Sequence, residues 1–281
     1  MNFKLAAFAD ESDNILEGQI SALKRNDFKY LEIRNVNGKN FTELSECEAK
    51  EIKKKLADNG LSVISLGSPI GKIDINGDFE AHLELYKRTL ELGNIFGASK
   101  IRLFSFFISE NEEPDAYKNL VIDRMGSFGD IAKEFNITPC HENEKGIYGD
   151  TAERCLEIFK AVPEIKCVFD PANFVQCGVD TLKAWEILNP YIDYMHIKDA
   201  NISGAVVPPG KGIGNVPQLL NLYAQNGGEL LTLEPHLYEF IGLQNLEREG
   251  DKSIVGEMAF ESAEAAFDFA AKTLKEMVKD L

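Results

Sequence analysis

The chain has 281 residues, of which 44% are hydrophobic, and its 46 acidic and 30 basic residues give a formal net charge of −16. This length suits one large α/β domain or two small ones, and the negative charge argues against binding to a nucleic-acid backbone. A small anionic substrate is still compatible, because a local cluster of Lys and Arg can override the overall sign.

Strand-like and helix-like segments alternate along the whole chain. Apolar runs predict eight strands, at 3–8, 29–34, 62–67, 100–105, 137–142, 166–170, 192–197 and 229–234. Apolar residues at helical spacing predict helices near 14–25, 45–58, 78–96, 115–135, 151–160, 180–188, 216–225 and 261–279. Eight such units without a composition break predict an α/β fold, one (β/α)8 TIM barrel in a single domain spanning 1–281. A doubly wound open sheet is the alternative, but the absence of a GxGxxG turn favours the closed barrel.

Two long stretches without periodicity follow the last two predicted strands. They cover residues 198–215 and 235–260. Loops longer than about 12–15 residues in a compact domain usually have a function, so we expect these two to serve the active site.

Cysteine usage and the N-terminus predict a cytoplasmic protein. The five cysteines are odd in number and form no CxxC pair, which is typical of buried thiols in a reducing compartment. The first residues contain too short an apolar stretch for a signal peptide. No run of about 18 apolar residues occurs, so no membrane span is predicted.

Four of the predicted strands end in a residue that can bind a metal ion. Glu142, Asp170, His196 and Glu234 each stand where an apolar run stops. Taken singly, they could be an exposed acid, an Asp-Pro turn, a core histidine and a solvated strand end. Repetition at four successive strand ends instead predicts one divalent-ion site at the carboxyl end of the barrel, with Mn²⁺, Mg²⁺, Co²⁺ or Zn²⁺ as the ion.

Five short segments give the chain a family resemblance. They are HEN at 141–143, FDPANF at 169–174, HIKDA at 196–200, PPGKGIGNVP at 208–217 and LEPHL at 233–237. With them the chain resembles the xylose isomerase-like barrels, which include sugar isomerases and epimerases, inosose dehydratases and type IV apurinic endonucleases. The resemblance implies that the four residues hold one metal ion and that Glu142 and Glu234 also move protons.

The sequence departs from the family pattern at two positions. Many sugar epimerases of the family have His three residues after the Asp ligand, where this chain has Asn173. The family also often places an acid between the two glycines of the loop after strand 7, where this chain has Lys211. Both departures leave the metal ligands intact and leave the substrate open.

Basic residues lie in or just after several predicted strands and predict a pocket for an anionic or hydroxyl-rich ligand. They are Arg34, Lys72, Arg102, Lys145 and Lys198. Alternatively, Arg34 and Lys72 form structural ion pairs with Glu32 and neighbouring acids. Phe104, Phe106 and Phe107 are expected to pack beneath the fourth helix rather than to line the pocket.

The histidines differ in their expected roles. His236 follows Glu234 by two residues and could bind substrate, as could Asn173, Asp199 and Lys211. Strand alternation should turn His141 away from the metal ligands, and His82 is expected at the surface of a helix.

These observations predict a metal-dependent isomerase or epimerase of a small sugar, polyol or sugar phosphate. Glu142 and Glu234 would transfer a proton through an enediolate, with Lys198 neutralising the oxyanion and Asp199 orienting that lysine. An inosose-type dehydratase is the main alternative. A phosphodiester-cleaving endonuclease is disfavoured by four histidines and the net charge, and a non-catalytic sensor by the presence of both proton-transfer acids. A homo-oligomer is compatible with this interpretation.

Overall fold

The computed structural model describes residues 3–240 and 258–281. Within these ranges eight parallel strands close into a barrel, in which each strand pairs with its neighbours in the chain and the last pairs with the first. The strands are β1 Lys4–Ala7, β2 Tyr30–Ile33, β3 Ser62–Leu66, β4 Lys100–Leu103, β5 Thr138–Glu142, β6 Lys166–Phe169, β7 Ile192–Ile197 and β8 Leu230–Leu233. The predicted TIM barrel is confirmed, and every predicted strand is present.

Helices surround the barrel between the strands. They are α1 Leu16–Arg25, α2 Glu46–Asp58, α3 Phe79–Phe96, α4 Lys118–Phe135, α5 Ala152–Ala161, α6 Thr181–Leu188, α7 Val216–Gln225 and α8 Ala263–Val278. Local signals fix their ends: Ser45 and Glu48 form a capping box at α2, and Gly97 ends α3 in the left-handed region. Among the described residues, no helix is long and apolar enough to cross a membrane.

A short α-helix and two hairpins were not predicted. A six-residue helix, Pro171–Gln176, begins directly after β6 with Asp170 as its N-cap. Two antiparallel hairpins pair residues 35–36 with 39–40 and residues 199–200 with 206–207. The second hairpin lies in the long loop after β7, while residues 241–257 of the other long stretch lie outside the described part of the chain.

The interior of the barrel has an apolar layer and, closer to the carboxyl ends of the strands, a polar layer. Residues of β1, β5, β6, β7 and β8 form a small buried cluster of Ala6, Cys140, Val168, Tyr194 and Leu230. Because strand residues two apart face the same side, the next inward positions lie one layer closer to the carboxyl ends of the strands. These positions are mostly polar, and the site described below lies there.

The loops after β3, β4 and β5 are joined to each other by backbone hydrogen bonds. Phe104 and Phe106 donate to the carbonyls of Ile70 and Gly71, and Ile108 donates to Gly146 at 3.1 Å. Gly71 has φ +90°, and a Cβ there would overlap the Phe104 carbonyl. The three loops therefore form one continuous wall, which we call the loop wall (residues 70–75, 104–108 and 146–148).

Aromatic rings of the loop wall have two different environments. Phe106, at φ +67°, stacks on Phe128 of α4 with ring centroids 5.8 Å apart, as expected. Phe104 instead lies beneath cations of the barrel mouth: Lys72 Nζ is 4.4 Å and the Arg102 guanidinium 4.9 Å from its ring centroid. Phe104 thus lines the site, contrary to expectation.

His82 is buried, so its predicted place at the surface was wrong. Only 7% of the residue is exposed, and its Nε2 accepts a hydrogen bond of 2.8 Å from the backbone N–H of Gly71. Burial, with the nearby Arg124, lowers the pKa of His82 to about 4. A neutral imidazole of α3 therefore anchors the start of the loop wall.

All five cysteines are free. Cys140, Cys155 and Cys167 are buried, and burial raises the pKa of each thiol well above its usual value. The prediction of buried thiols holds for these three, whereas Cys47 is exposed and Cys177 is half-buried.

Candidate metal centre

The four predicted metal ligands meet at the carboxyl end of the barrel. Glu142 is the last residue of β5, His196 lies near the end of β7, and Asp170 and Glu234 directly follow β6 and β8. One ligand atom from each lies within 4.8 Å of the others, and all four residues are buried. We call these four side chains, which could together hold a metal ion, the metal group. Parallel strands end at the same edge, so similar positions in four strands become neighbours in space.

The donor set fits a divalent cation. His196 Nδ1 lies 2.8 Å from Glu142 Oε1 and 3.3 Å from Glu234 Oε2, so the imidazole and two carboxylates face one point. Asp170 Oδ2 is buried and makes no hydrogen bond of good geometry, although it lies 3.0 Å from Lys198 Nζ. Three carboxylates and one imidazole suit a hard or borderline ion such as Mn²⁺, Mg²⁺, Co²⁺ or Zn²⁺.

Each carboxylate of this group also contacts a cation. Arg102 Nη1 lies 3.2 Å from Glu142 Oε2, and Lys198 Nζ lies 3.2 Å from Glu234 Oε2. Arg34 Nη1 lies 3.1 Å from Glu234 Oε1. Three of the five predicted basic residues, Arg34, Arg102 and Lys198, reach the site, but they contact the candidate metal ligands themselves.

Arg34 has partners that the sequence analysis missed. It does not pair with Glu32: its guanidinium binds Asp10 at 2.8 Å and Glu11 at 3.1 Å, both just after β1. All of these side chains are nearly inaccessible to solvent. The sequence did contain a signal for these two acids. Asp10 and Glu11 follow the apolar strand β1, much as the four recognised residues follow or end their own strands.

The charges around the site determine how the ligands ionise. Burial alone would raise the pKa of Glu142, but His196 and Arg102 outweigh it and lower that pKa to about 2. Burial likewise opposes the ionisation of Glu234, yet Lys198 and His236 hold its pKa well below the usual range. For Asp170 burial prevails over the attraction of Lys198 and raises the pKa to about 7. Glu142 and Glu234 are therefore carboxylates at neutral pH.

His236 lies beside Glu234, as its position in the sequence suggested. Its Nε2 is 3.4 Å from Glu234 Oε1 and 3.3 Å from Glu11 Oε1. Its backbone has φ +46°, an unusual conformation for a residue other than Gly, and its N–H donates to Glu11 Oε2 at 2.6 Å. Glu11 thus holds both the backbone and the ring of His236.

Asn173, on the short helix after β6, contacts two of the metal ligands. Its Nδ2 donates to Glu142 Oε1 at 3.4 Å, and its backbone N–H donates to Asp170 Oδ1 at 2.8 Å. The position that departs from the family pattern therefore belongs to the immediate surroundings of the metal group.

The remaining predicted lysines lie farther out. Lys72 Nζ lies 3.1 Å from Glu144 Oε2 at the loop wall. Lys145 and Lys211 are exposed.

Asp199 organises the loop after β7 and does not orient Lys198, which corrects that expectation. Its two carboxylate oxygens accept backbone N–H bonds of 2.9–3.0 Å from Ala200, Gly210, Gly212 and Gly214. A Cβ at Gly212 would overlap the Ala200 carbonyl, which explains a glycine at that position. Lys198 is held instead by the carboxylates of the metal group.

His141 and Glu32 complete the surroundings of the site. His141 faces away from the metal group, as predicted, and its Nε2 lies 2.9 Å from Ser105 Oγ. Glu32 of β2 was not predicted as a site residue, but its Oε2 lies 3.3 Å from His196 Nε2. The signal was its place in YLEIR, since a polar residue two positions from Arg34 in a buried strand must face the barrel interior.

Comparison with known proteins gives independent information on the chain. The family model described as xylose isomerase-like TIM barrel matches residues 20–254. A 3-dehydroshikimate dehydratase from Bacillus anthracis is 24% identical over 182 residues, which are 64% of this chain and 64% of that protein. The match thus covers less than two thirds of that relative.

Solved structures share the fold at low sequence identity. An L-ribulose 3-epimerase has a TM-score of 0.76, with 17% identity over 100% of this chain and 95% of its own. The IOLI protein, described with a bound zinc atom, has a TM-score of 0.74 and 17% identity over 99% of this chain and 98% of its own. At these identities the likeness shows the fold alone.

Proposed function

Because the chain belongs to the xylose isomerase-like TIM barrel family, we propose that it is a metal-dependent isomerase or epimerase of a small sugar, polyol or sugar phosphate. The observation that carries this proposal is the buried group of Glu142, Asp170, His196 and Glu234, whose ligand atoms lie within 4.8 Å of one another. These residues would hold one divalent ion, Mn²⁺, Mg²⁺, Co²⁺ or Zn²⁺.

The side chains of the site support proton transfer between carbons. A divalent ion bound there would polarise a substrate carbonyl and make the neighbouring C–H more acidic. Glu142 and Glu234 stay ionised at neutral pH, so one can accept the proton from carbon while the other, or the same one, returns it. Lys198, whose pKa is raised by the surrounding carboxylates despite burial, stays protonated and can donate to a developing oxyanion.

The other polar groups at the barrel mouth would position the substrate. Asn173 and His236 border the metal group, and Lys72 lies at the loop wall above Phe104. Amide, imidazole and ammonium groups at such positions suit the hydroxyls of a sugar or polyol.

Dehydration of a hydroxylated ketone is the second candidate. It is favoured by the similarity to a protein named 3-dehydroshikimate dehydratase. The reaction begins with the same removal of a proton next to a carbonyl and differs in the loss of hydroxide from the next carbon. The same residues could therefore support either outcome.

The test is turnover of the metal-loaded enzyme in D₂O with a panel of ketoses, their phosphates and 3-dehydroshikimate. An isomerase or epimerase places solvent deuterium on the carbon next to the carbonyl, in a product of unchanged composition. Glu142→Gln and Glu234→Gln should each lower turnover by ~10²–10⁴-fold, as expected for loss of a general base. Glu229→Gln is the control, because Glu229 lies before β8 at the opposite end of the barrel, paired with Lys4.

Other results of this experiment reject parts of the proposal. Product without solvent deuterium indicates a hydride shift and rejects the two-carboxylate mechanism. Product that has lost water selects the dehydratase. Absence of both turnover and deuterium exchange across the panel argues against either reaction.

A further inference from the structure

Glu32 is a buried carboxylate that the proposed proton transfer does not use. It lies on β2 and is 0% exposed. Among the residues that the structure describes, no Lys or Arg forms an ion pair with it, and its one ion-pair partner is the imidazole of His196. Burying an ionised group is costly unless it is paired, so its place inside the barrel calls for an explanation.

The imidazole of His196 is held between two sets of carboxylates. Its Nδ1 faces Glu142 at 2.8 Å and Glu234 at 3.3 Å, within the metal group. Its Nε2 faces the opposite way, 3.3 Å from Glu32 Oε2. The two nitrogens of an imidazole ring point in opposite directions. When one nitrogen of a neutral ring binds a metal ion, the other carries the proton and donates a hydrogen bond.

Glu32 is itself fixed in place. The hydroxyl of Tyr194 donates to Glu32 Oε1 at 2.9 Å and lies 3.1 Å from Ser65 Oγ. β2 and β7 are not neighbours in the barrel, so these contacts cross its interior. The rings of Phe8 and Tyr194 form T-shaped contacts with His196 at centroid distances of 5.2 and 5.5 Å and leave the imidazole little freedom.

We propose that Glu32 is a positioning residue that accepts the Nε2–H of His196 and thereby presents the unprotonated Nδ1 to the divalent ion. The inference rests on the metal-dependent function proposed above. A carboxylate that accepts the second N–H of a metal-binding histidine fixes the ring orientation and tautomer and makes the ligand nitrogen more basic. Glu32 would act on metal affinity through His196 and would not touch the substrate.

The first test compares the dissociation constant for Zn²⁺ of the wild-type protein and of Glu32→Gln, measured by calorimetry. Gln keeps the size of the side chain but removes its charge, and we expect a Kd about 10–100-fold higher, the usual cost of losing such a partner. Tyr86→Phe is the matched control, because it removes a buried hydrogen bond to Phe128 O that joins α3 to α4 and involves none of the four candidate ligands. It should lower the melting temperature and leave the Kd unchanged.

The second test needs no variant. The chain has four histidines, so the Zn²⁺-loaded protein labelled with ¹⁵N-histidine gives a spectrum simple enough to assign. We expect the His196 ring to carry its proton on Nε2 and to show the ¹⁵N shift of a metal-bound Nδ1. A proton on Nδ1 would overturn the proposal even if Glu32→Gln failed to fold.

The outcomes separate this inference from the proposed function. If the wild-type protein binds Zn²⁺ and Glu32→Gln binds it equally well, the positioning role is wrong and the metal site stands. If the wild-type protein binds none of Zn²⁺, Mn²⁺, Mg²⁺ or Co²⁺, both the metal site and the role of Glu32 are rejected.

Discussion

Three cations inside the barrel give each carboxylate ligand a charged partner. Arg102 contacts Glu142, Lys198 contacts Asp170, and Arg34 contacts Glu234. Buried charges are tolerated when they are paired and hydrogen-bonded, and loss of one partner leaves the other uncompensated. The cations that the sequence suggested for substrate binding therefore hold these side chains in fixed orientations and favour the carboxylate forms of Glu142 and Glu234.

At the level of single residues, removal of a ligand should abolish stoichiometric metal binding. We expect His196→Ala and Asp170→Asn to lose bound Mn²⁺ or Zn²⁺ after dialysis, because the first removes one of four donors and the second removes the negative charge of a carboxylate donor. Elemental analysis measures the ratio of metal to protein. Asp193→Asn, on the same strand as His196 but paired with Lys100 at the other end of the barrel, should keep the full ratio. Full occupancy in His196→Ala would reject the site.

The loop after β7 depends on one carboxylate. The backbone N–H groups of four residues between Ala200 and Gly214 donate to the carboxylate of Asp199. Asp199→Ala should lower the free energy of unfolding by about 1–3 kcal/mol, the cost of leaving buried donors unsatisfied. Denaturant unfolding measures this change. Ser203→Ala, which removes an exposed turn contact in the same loop, should have little effect, and equal stability of the two variants would contradict the role of Asp199.

The contact between α3 and the loop wall should make stability depend on pH. Burial lowers the pKa of His82 to about 4 from an ordinary value of 6.5, so the unfolded chain binds this proton at a higher pH than the folded protein does. The contribution of His82 is complete above pH 6.5 and is lost as the pH falls toward 4, by on the order of 2–3 kcal/mol.

The comparison of wild type with His82→Asn isolates this effect. Both proteins are unfolded by denaturant at several pH values between 7 and 4. The stability advantage of the wild-type protein should shrink over this interval, because Asn takes up no proton. An advantage that stays constant would show that the imidazole titrates equally in both states.

For the whole molecule, binding of the ion should stabilise the fold. A free ion concentration of 100 times Kd adds about 2.7 kcal/mol to the free energy of unfolding when only the folded state binds. The melting temperature should therefore rise when Mn²⁺ or Zn²⁺ is added and should return to its original value when a chelator removes the ion. His196→Ala should show no such shift, and an equal shift in that variant would place the stabilising ion elsewhere.

The sequence was sufficient to predict the barrel and the clustering of the four candidate ligands, because local patterns in the chain indicate both. Buried parallel strands are continuous apolar runs, and Glu142 or Glu234 stands at the end of such a run. Glu32 was missed because its partners, Tyr194 and His196, lie across the barrel on β7. The short helix after Asp170 was not predicted, because the pair Asp-Pro is equally typical of a turn.

For His82 the local sequence pattern gave a wrong prediction of burial. Its position within a helix predicted exposure, and only the fold reveals that the backbone of Gly71 lies against that face of α3. Contacts between a helix and a loop depend on the angle at which the loop returns, which no periodicity in the chain records.

The loop wall has a consequence for the motions of the protein. Its backbone hydrogen bonds link Phe104, Phe106 and Ile108 to the loops on either side, so movement of one loop strains the bonds that join it to the next. Exchange of these protons with deuterated solvent should therefore proceed at one common slow rate, as in a cooperative unit. Exchange at widely different rates would show that the loops open separately. With a common rate, this side of the barrel mouth keeps its shape on the time scale of turnover, and any opening for substrate occurs at another part of the rim.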